Sequence, residues 1–445
     1  MKKIKFLGAS GGVTGSSFLL TAQDDSQLLV DFGIFQGPRE VSDLNYKQLD
    51  FNPSSVKGVI LTHAHLDHCG RLPLLVFGGF QGRVYMTAPT AALIEVILRD
   101  AAKIAQEKTD YVPLYGSDEV EKVLKMVEVV EYEKEFSVGS LNVKFKDAGH
   151  ILGSASIEVV DTADKKKIVF SGDLGNTPED IIKPAVYSDD ADYVVMETTY
   201  GDERHPEEDP SQIIMEEINK IEDGSGVLLI PAFSLERTQE ILHRIHHLKK
   251  DGKIRADTPV FMDSPMGIRA TEIFGQFREF YNEEMQGHID DPFNFEGLAS
   301  TIEARDSKDI IKAMEPKVIV AGSGMMSGGR ILHHAVNYLP LDTTSILFVG
   351  FQAEGTLGRA ILHGAKTVRI YDKQVIVRAK VRETTMSSHA DQSKLLLWLG
   401  HIKGVKKVFL AHGEQSKRMA FAQKVKEELH IQDIAMPLVG EEHML

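Results

Sequence analysis

Two textures of apolar spacing divide this chain. Over roughly the first 200 residues, short apolar runs alternate with glycine-bearing polar turns, and the runs at 4–7, 17–20, 28–31, 59–61, 84–86, 141–145, 157–160, 168–171 and 193–196 read as strands. One helix interrupts them at about 90–107, with Leu93, Ile94, Ile97, Leu98 and Ala101 on one face and Pro89 near its start. Many strands with few helices predict a sandwich of sheets rather than a doubly wound fold. The glycine-rich GASGGVTGSS lacks the spacing of a dinucleotide loop and a phosphate-loop lysine, and it runs into the strand-like SSFLL, so it reads as a hairpin connection.

After the acidic, proline-bearing GDERHPEEDPS the period changes. Helices at 212–221, 235–249, within 268–284 and at 310–314 alternate with apolar strands at 227–230, 259–262 and 318–321. Such alternation predicts a mainly parallel sheet flanked by helices. The organisation expected is therefore a first domain at 1–205, an inserted α/β domain at 206–371, and a return to the first domain at 372–445.

The chemistry sits where apolar runs end. VILTHAHLDHCG crowds His63, His65, Asp67 and His68 directly after a strand. Two positions apart on extended backbone, His63 and His65 point the same way and can grip one ion, while Asp67 and His68 follow a turn and can face a second. Imidazole nitrogens and carboxylate oxygens suit a borderline divalent ion such as zinc. Four residues cannot close two coordination shells, and the missing donors stand at further strand ends: His150 after Gly149, Asp173 in VFSGDLG, and His412 in FLAHGE. A lone histidine on an apolar face is more often packed than ligating, and the chain has 17. Three imidazoles this close would repel one another when protonated, so the cluster is hard to explain as mere core.

Composition narrows the setting. At 445 residues and 42% apolar content the chain is long enough for two or three globular domains. Its single cysteine, Cys69, excludes an intramolecular disulfide, fits a reducing cytoplasm, and reads as a packed thiol. No apolar run approaches a membrane span, so no membrane partner is expected. The net charge of −15 argues against a polyanionic partner only weakly, because local basic stripes such as Arg378, Lys380 and Arg382 matter more than the total.

Together these phrases resemble the metallo-β-lactamase superfamily, and within it the β-CASP branch of nucleic-acid-processing hydrolases. The likeness runs through Asp31 in LLVDFG, THAHLDHCGRLP, Gly149-His150, SGDLG, METTYGD with Glu197, FMDSPMG, GSGMMSGGR, SSHAD with His389, and AHGE with His412. It implies an αββα sandwich of α+β type with an inserted β-CASP domain. It implies two Zn2+ ions, or another divalent ion such as Mn2+: one held by His63, His65 and His150, one by Asp67, His68 and His412, with Asp173 bridging. Asp31 would orient the site from behind, and Glu197 would steer His389.

The activity implied is hydrolysis of single-stranded RNA, by internal cutting, trimming from the 5′ end, or both. A hydroxide shared by the two ions would be the nucleophile, and His389 the general acid with a pKa near neutrality. Ser387, Ser388 and Arg330 are candidates to hold substrate phosphate. A small-molecule metallo-hydrolase of thioester or lactam type and a catalytically silent RNA-binding subunit stand as alternatives. A homodimer is left open.

Overall fold

The computed structural model describes residues 1–107, 112–176, 180–287 and 291–445. The chain forms two compact units, one built from Met1–Arg204 with His389–Leu445 and the other from His205–Ser388.

The first unit is built on two seven-stranded sheets. One runs in the order Glu442–Met444, Lys3–Phe6, Phe18–Thr21, Gln27–Val30, Val56–Ile60, Arg83–Met86, Val127–Val129. The other runs Ile434–Ala435, Lys407–Leu410, Tyr193–Met196, Lys167–Phe170, Ala155–Asp161, Leu141–Asp147, Glu135–Val138. Alternating side chains on the strands send one row inward from each sheet. Ile4, Phe6, Leu20, Val30 and Ile60 meet Val143, Phe145, Ile157, Ile168, Phe170 and Phe409 in one core. Burying each such side chain stabilises by about 1.5–3 kcal/mol.

The second sheet is apolar on its outer face too. Val169, Val194, Met196, Val408 and Leu410 pack under Leu395, Trp398 and Leu399 of helix Gln392–His401 and Phe421 of helix Gln415–Lys424. Asp391 caps the first of these helices by accepting from the Lys394 amide. The helix expected at 90–107 is Ala88–Glu107, with Leu93, Ile94, Ile97 and Leu98 buried. The glycine-rich stretch does connect two antiparallel neighbours, Lys3–Phe6 and Phe18–Thr21.

The inserted unit is a six-stranded, all-parallel sheet ordered Leu298–Ser300, Val260–Asp263, Lys317–Ala321, Val227–Pro231, Thr344–Phe348, Lys380–Glu383. Its helices Pro210–Gly224, Arg237–Lys250 and Pro265–Gln276 start near the expected positions. A two-stranded hairpin, Thr367–Ile370 with Lys373–Ile376, adds its apolar face to the same core.

One expected boundary moves. Residues 372–388, assigned from sequence to the returning segment, lie in the inserted unit because Lys380–Glu383 pairs in parallel with Thr344–Phe348. That strand reads KVRE and has no apolar run to announce it. Among the described residues, no helix is long and apolar enough to cross a membrane.

Candidate metal centre

Strand ends of the first unit deliver the polar cluster. The chain leaves Val56–Ile60 extended through His63 and His65, then makes a single helical turn, Leu66–Cys69, that carries Asp67 and His68. His150 follows Leu141–Asp147, Asp173 follows Lys167–Phe170, Glu197 follows Tyr193–Met196 and His412 follows Lys407–Leu410. Asp31 (φ +57°) and His412 (φ +45°) both adopt left-handed backbone, a conformation that non-glycine residues avoid unless their surroundings impose it. Two glycines permit the close backbone approaches: a Cβ on Gly33 would fall 1.5 Å from the Asp67 carbonyl oxygen, and one on Gly175 1.5 Å from that of Gly149.

All seven ligand-type residues expected from sequence converge. His63 Nε2 lies 3.1 Å from His65 Nδ1, which lies 3.3 Å from His150 Nε2. Nitrogens bound to one zinc at tetrahedral angles stand about 3.3 Å apart. On the other side, His68 Nε2 is 3.3 Å from His412 Nε2, which is 3.4 Å from Asp67 Oδ2. Asp173 Oδ2 sits between the groups, 3.5 Å from His63 Nε2, 3.4 Å from His68 Nε2 and 3.7 Å from His150 Nε2. The donor atoms of His63, His65, His150 and Asp173 lie close enough to hold one ion, and so, separately, do those of Asp67, His68 and His412.

Asp173 supplies the fit test. Its carboxylate is buried, and neither oxygen has a hydrogen-bond partner. Such a group is costly unless a positive charge faces it. Burial opposes its ionisation, yet His412, His68 and His63 hold its pKa well below the carboxylate range. Burial also opposes charge on His68, but Asp173 and Asp31 lift its pKa well above the usual value, whereas burial pushes His65 down to about 4. The centre is a carboxylate set demanding cations, ringed by imidazoles whose lone pairs can bind them. A divalent ion fits this donor set.

Supporting residues fix which nitrogen faces inward. Asp31 Oδ2 accepts from His68 Nδ1 at 2.8 Å and from the Thr62 hydroxyl at 2.9 Å, and Thr62 Oγ1 in turn stands 3.0 Å from His63 Nδ1. Thr199 Oγ1 lies 3.1 Å from His412 Nδ1. In His63, His68 and His412 the Nδ1 is thereby engaged and Nε2 turns toward the centre, whereas His65 presents its Nδ1. Arg71 is nearly buried: it donates to the Gly33 carbonyl and the Ser17 hydroxyl, and its guanidinium lies 4.4 Å from the ring centroids of Phe32 and Phe35. Sequence reading missed Thr62, Thr199 and Arg71, although Thr62 and Arg71 stand inside the same signature phrase.

His389 returns to this unit beside Gly175, with which it forms a backbone bridge. Its Nδ1 is 3.2 Å from Glu197 Oε1 and 4.0 Å from Asp173 Oδ2. Glu197 is held by the amides of Leu174 (2.7 Å) and Thr199 (3.2 Å). Burial lowers the His389 pKa, but Glu197 with Asp173 and Asp67 outweighs it and raises the value to about 9, above the neutrality expected.

Arg330 corrects another expectation. Its guanidinium is occupied by Asp263 Oδ1 at 2.7 Å and by the carbonyls of Thr301 and Ile302, so it serves as an internal tie rather than a phosphate contact. Ser387 and Ser388 close the inserted unit, on its side of the boundary with His389. Cys69 is buried and donates to the Ala64 carbonyl, as a packed thiol should.

Comparison with known proteins agrees with this geometry. The metallo-beta-lactamase superfamily matches residues 10–204, the Beta-Casp domain 238–361, and the Zn-dependent metallo-hydrolase RNA specificity domain 374–437. The last of these begins inside the inserted compact unit. A protein named Ribonuclease TTHA0252 from Thermus thermophilus is 37% identical, over 98% of this chain and 98% of its own. An RNase J-like protein from Methanocaldococcus jannaschii is 30% identical over 97% of each, and a protein named RNase aCSPSF2 from Saccharolobus solfataricus is 30% identical over 99% of this chain and 84% of its own. A crystal structure of an Enterococcus faecalis protein of unknown function shares the fold, with a TM-score of 0.59 at 11% identity over the whole of both chains. With a His/Asp cluster built for metal and full-length relatives, this chain belongs to the metallo-beta-lactamase superfamily, in the branch that carries an inserted Beta-Casp domain, and is a metal-dependent hydrolase.

Proposed function

We propose that this chain is a zinc-dependent ribonuclease that hydrolyses phosphodiester bonds of single-stranded RNA. The observation that carries the reading is the buried, donor-free carboxylate of Asp173 amid His63, His68, His150 and His412. Support for RNA comes from the names of the full-length relatives and from the matched RNA specificity domain.

His63, His65 and His150 would hold one ion, Asp67, His68 and His412 the other, and Asp173 would touch both. The chemistry supplied when they are bound is Lewis acidity, which lowers the pKa of a water toward neutrality and offsets charge on the phosphodiester. Asp31, Thr62 and Thr199 keep the imidazoles turned inward. His389 is the proton donor to the leaving oxygen: Glu197 faces its Nδ1 and keeps the ring charged. Glu197, engaged by two amides, acts through His389 as a positioning residue. A buried lone cysteine fits placement in the cytoplasm.

The test is to incubate the purified, zinc-loaded protein with an end-labelled RNA and its circular form. Cleavage of the circle establishes internal cutting, and shortening of the linear form alone establishes trimming. No cleavage of either, together with hydrolysis of a thioester or lactam, would overturn the reading in favour of a small-molecule hydrolase. His389→Ala should keep its metal and lose about 10²–10⁴-fold in turnover. Loss of metal instead would reassign it as a ligand.

A further inference from the structure

The hairpin of the inserted unit concentrates positive charge that neither the fold nor the metal centre uses. Residues 359–380 contain Arg359, Lys366, Arg369, Lys373, Arg378 and Lys380 against a single acid, Asp372, in a chain of net charge −15. Register sorts the hairpin into two faces. Val368 opposite Val375 and Ile370 opposite Lys373 turn the apolar positions into the core of the parallel sheet. Thr367 opposite Ile376 and Arg369 opposite Gln374 form the other face, and all four are exposed. Lys366, Lys373, Arg378 and Lys380 are exposed along its margins. Among these cations and the described residues, only Arg369 has an acid partner, the fully exposed Asp372 at 3.4 Å.

The turn adds an independent observation. Strands ending at Ile370 and resuming at Lys373 leave a two-residue loop, Tyr371-Asp372, and Tyr371 occupies its first position at φ +54°. Glycine or asparagine is the residue such a position favours, and a bulky ring there is strained. The ring is 62% exposed, so burial does not compensate it. Retaining an aromatic side chain at the tip of a basic hairpin, at a backbone cost, is intelligible if the ring has work to do in solution.

We propose that this hairpin is a docking platform for single-stranded RNA, with Lys366, Arg369, Lys373 and Arg378 against phosphates and Tyr371 stacked on a base. It rests on the ribonuclease reading above and extends it from a site that cuts to a surface that holds the polymer. Single strands fit best because they combine the two features the hairpin complements: a chain of phosphates, and bases with open faces for an aromatic ring. A duplex offers the charge without the open bases.

The experiment uses the full chain in a His389→Ala background, so that RNA is held and not consumed, and measures binding of a fluorescent single-stranded RNA by anisotropy across salt concentrations. The combined variant Lys366→Gln, Arg369→Gln, Lys373→Gln, Arg378→Gln should bind at least about tenfold more weakly near 0.1 M salt. Its dependence of log K on log salt should be shallower by about 0.7 for each phosphate that is no longer neutralised. Tyr371→Asn should also weaken binding, by about tenfold. It should do so while its melting temperature stays level or rises, because asparagine tolerates the turn better. Tyr371→Phe should bind like the parent. A merely structural tyrosine would reverse that pattern, losing stability in Tyr371→Asn with RNA affinity intact. If the parent cleaves and binds RNA while these variants match it in affinity and salt slope, the platform is wrong and the ribonuclease reading stands. If the protein neither cleaves nor binds RNA, both fall.

Discussion

Asp173 in the first unit and Asp263 in the inserted one are both buried carboxylates at strand ends beside histidines, yet their surroundings are opposite. Asp263 is filled by protein donors. Its Oδ1 accepts from the Thr301 hydroxyl at 2.5 Å and Arg330 at 2.7 Å, and its Oδ2 accepts from the Ser307 hydroxyl at 2.6 Å and His334 Nε2 at 2.7 Å. Asp173 has no donor on either oxygen. A satisfied carboxylate of this kind ties loops together, whereas one faced by imidazoles without a hydrogen bond is placed to take a cation. The contrast separates an aspartate satisfied by protein from a candidate for binding a cation without reference to sequence motifs.

The comparison can be broken most forcefully through activity. Asp173→Ala should cost about 10⁴-fold or more in RNA cleavage, since both sets of ligands lose their common member, while Asp263→Ala should act on turnover only through loss of folded protein. Stability should rank them the other way. In metal-depleted protein, thermal melting should show Asp173→Asn losing less than Asp263→Ala, because the imidazoles that face Asp173 stand 3.4–3.7 Å away without a hydrogen bond to it. Asp263→Ala should lose about 3–5 kcal/mol, because Arg330 and His334 are left without their carboxylate. Equal destabilisation by the two substitutions would erase the distinction.

A smaller effect is expected one step from the centre. Asp31→Asn removes the acceptor that sets both His68 Nδ1 and the Thr62 hydroxyl, and should weaken metal affinity about 10–100-fold by calorimetric titration, with little change in the melting of the metal-free protein.

The smallest effect sharpens the other side, through pH. Burial works to raise the Asp263 pKa, but His334, Ser307, Thr301 and Arg330 outweigh it and hold the group well below the usual carboxylate range. A folded-state pKa depressed in this way contributes stability that is present above the unfolded value of about 3.9 and lost as pH falls below it. The gap in melting temperature between wild type and Asp263→Asn should therefore narrow between about pH 5 and pH 3. A gap that stays constant over this range would show that the carboxylate's charge is not what holds the network.

The same contrast explains what could be read from sequence. The clustered candidate ligands were legible because His63, His65, Asp67 and His68 stand close together in the chain, and because His150, Asp173 and His412 each follow an apolar run whose strand identity the alternation reveals. Arg330 was misread because a surface phosphate contact and an internal tie look alike until Asp263, 67 positions away, is seen to face it. Thr62 and Thr199 escaped notice since a hydroxyl gains its role only from the imidazole folded against it. The end of the inserted unit was placed too early for a related reason. Strand Lys380–Glu383 is an edge strand with charged residues at both ends, and its pairing with Thr344–Phe348 leaves no hydrophobic signature.

The central claim is that Asp173 is unsatisfied by protein because it is shared between bound cations. Elemental analysis of wild type and Asp173→Ala, each loaded with zinc and freed of excess, tests this most directly. About two ions per chain in the wild type and fewer than one in the variant is the result the account predicts. The same metal content in both proteins would contradict it.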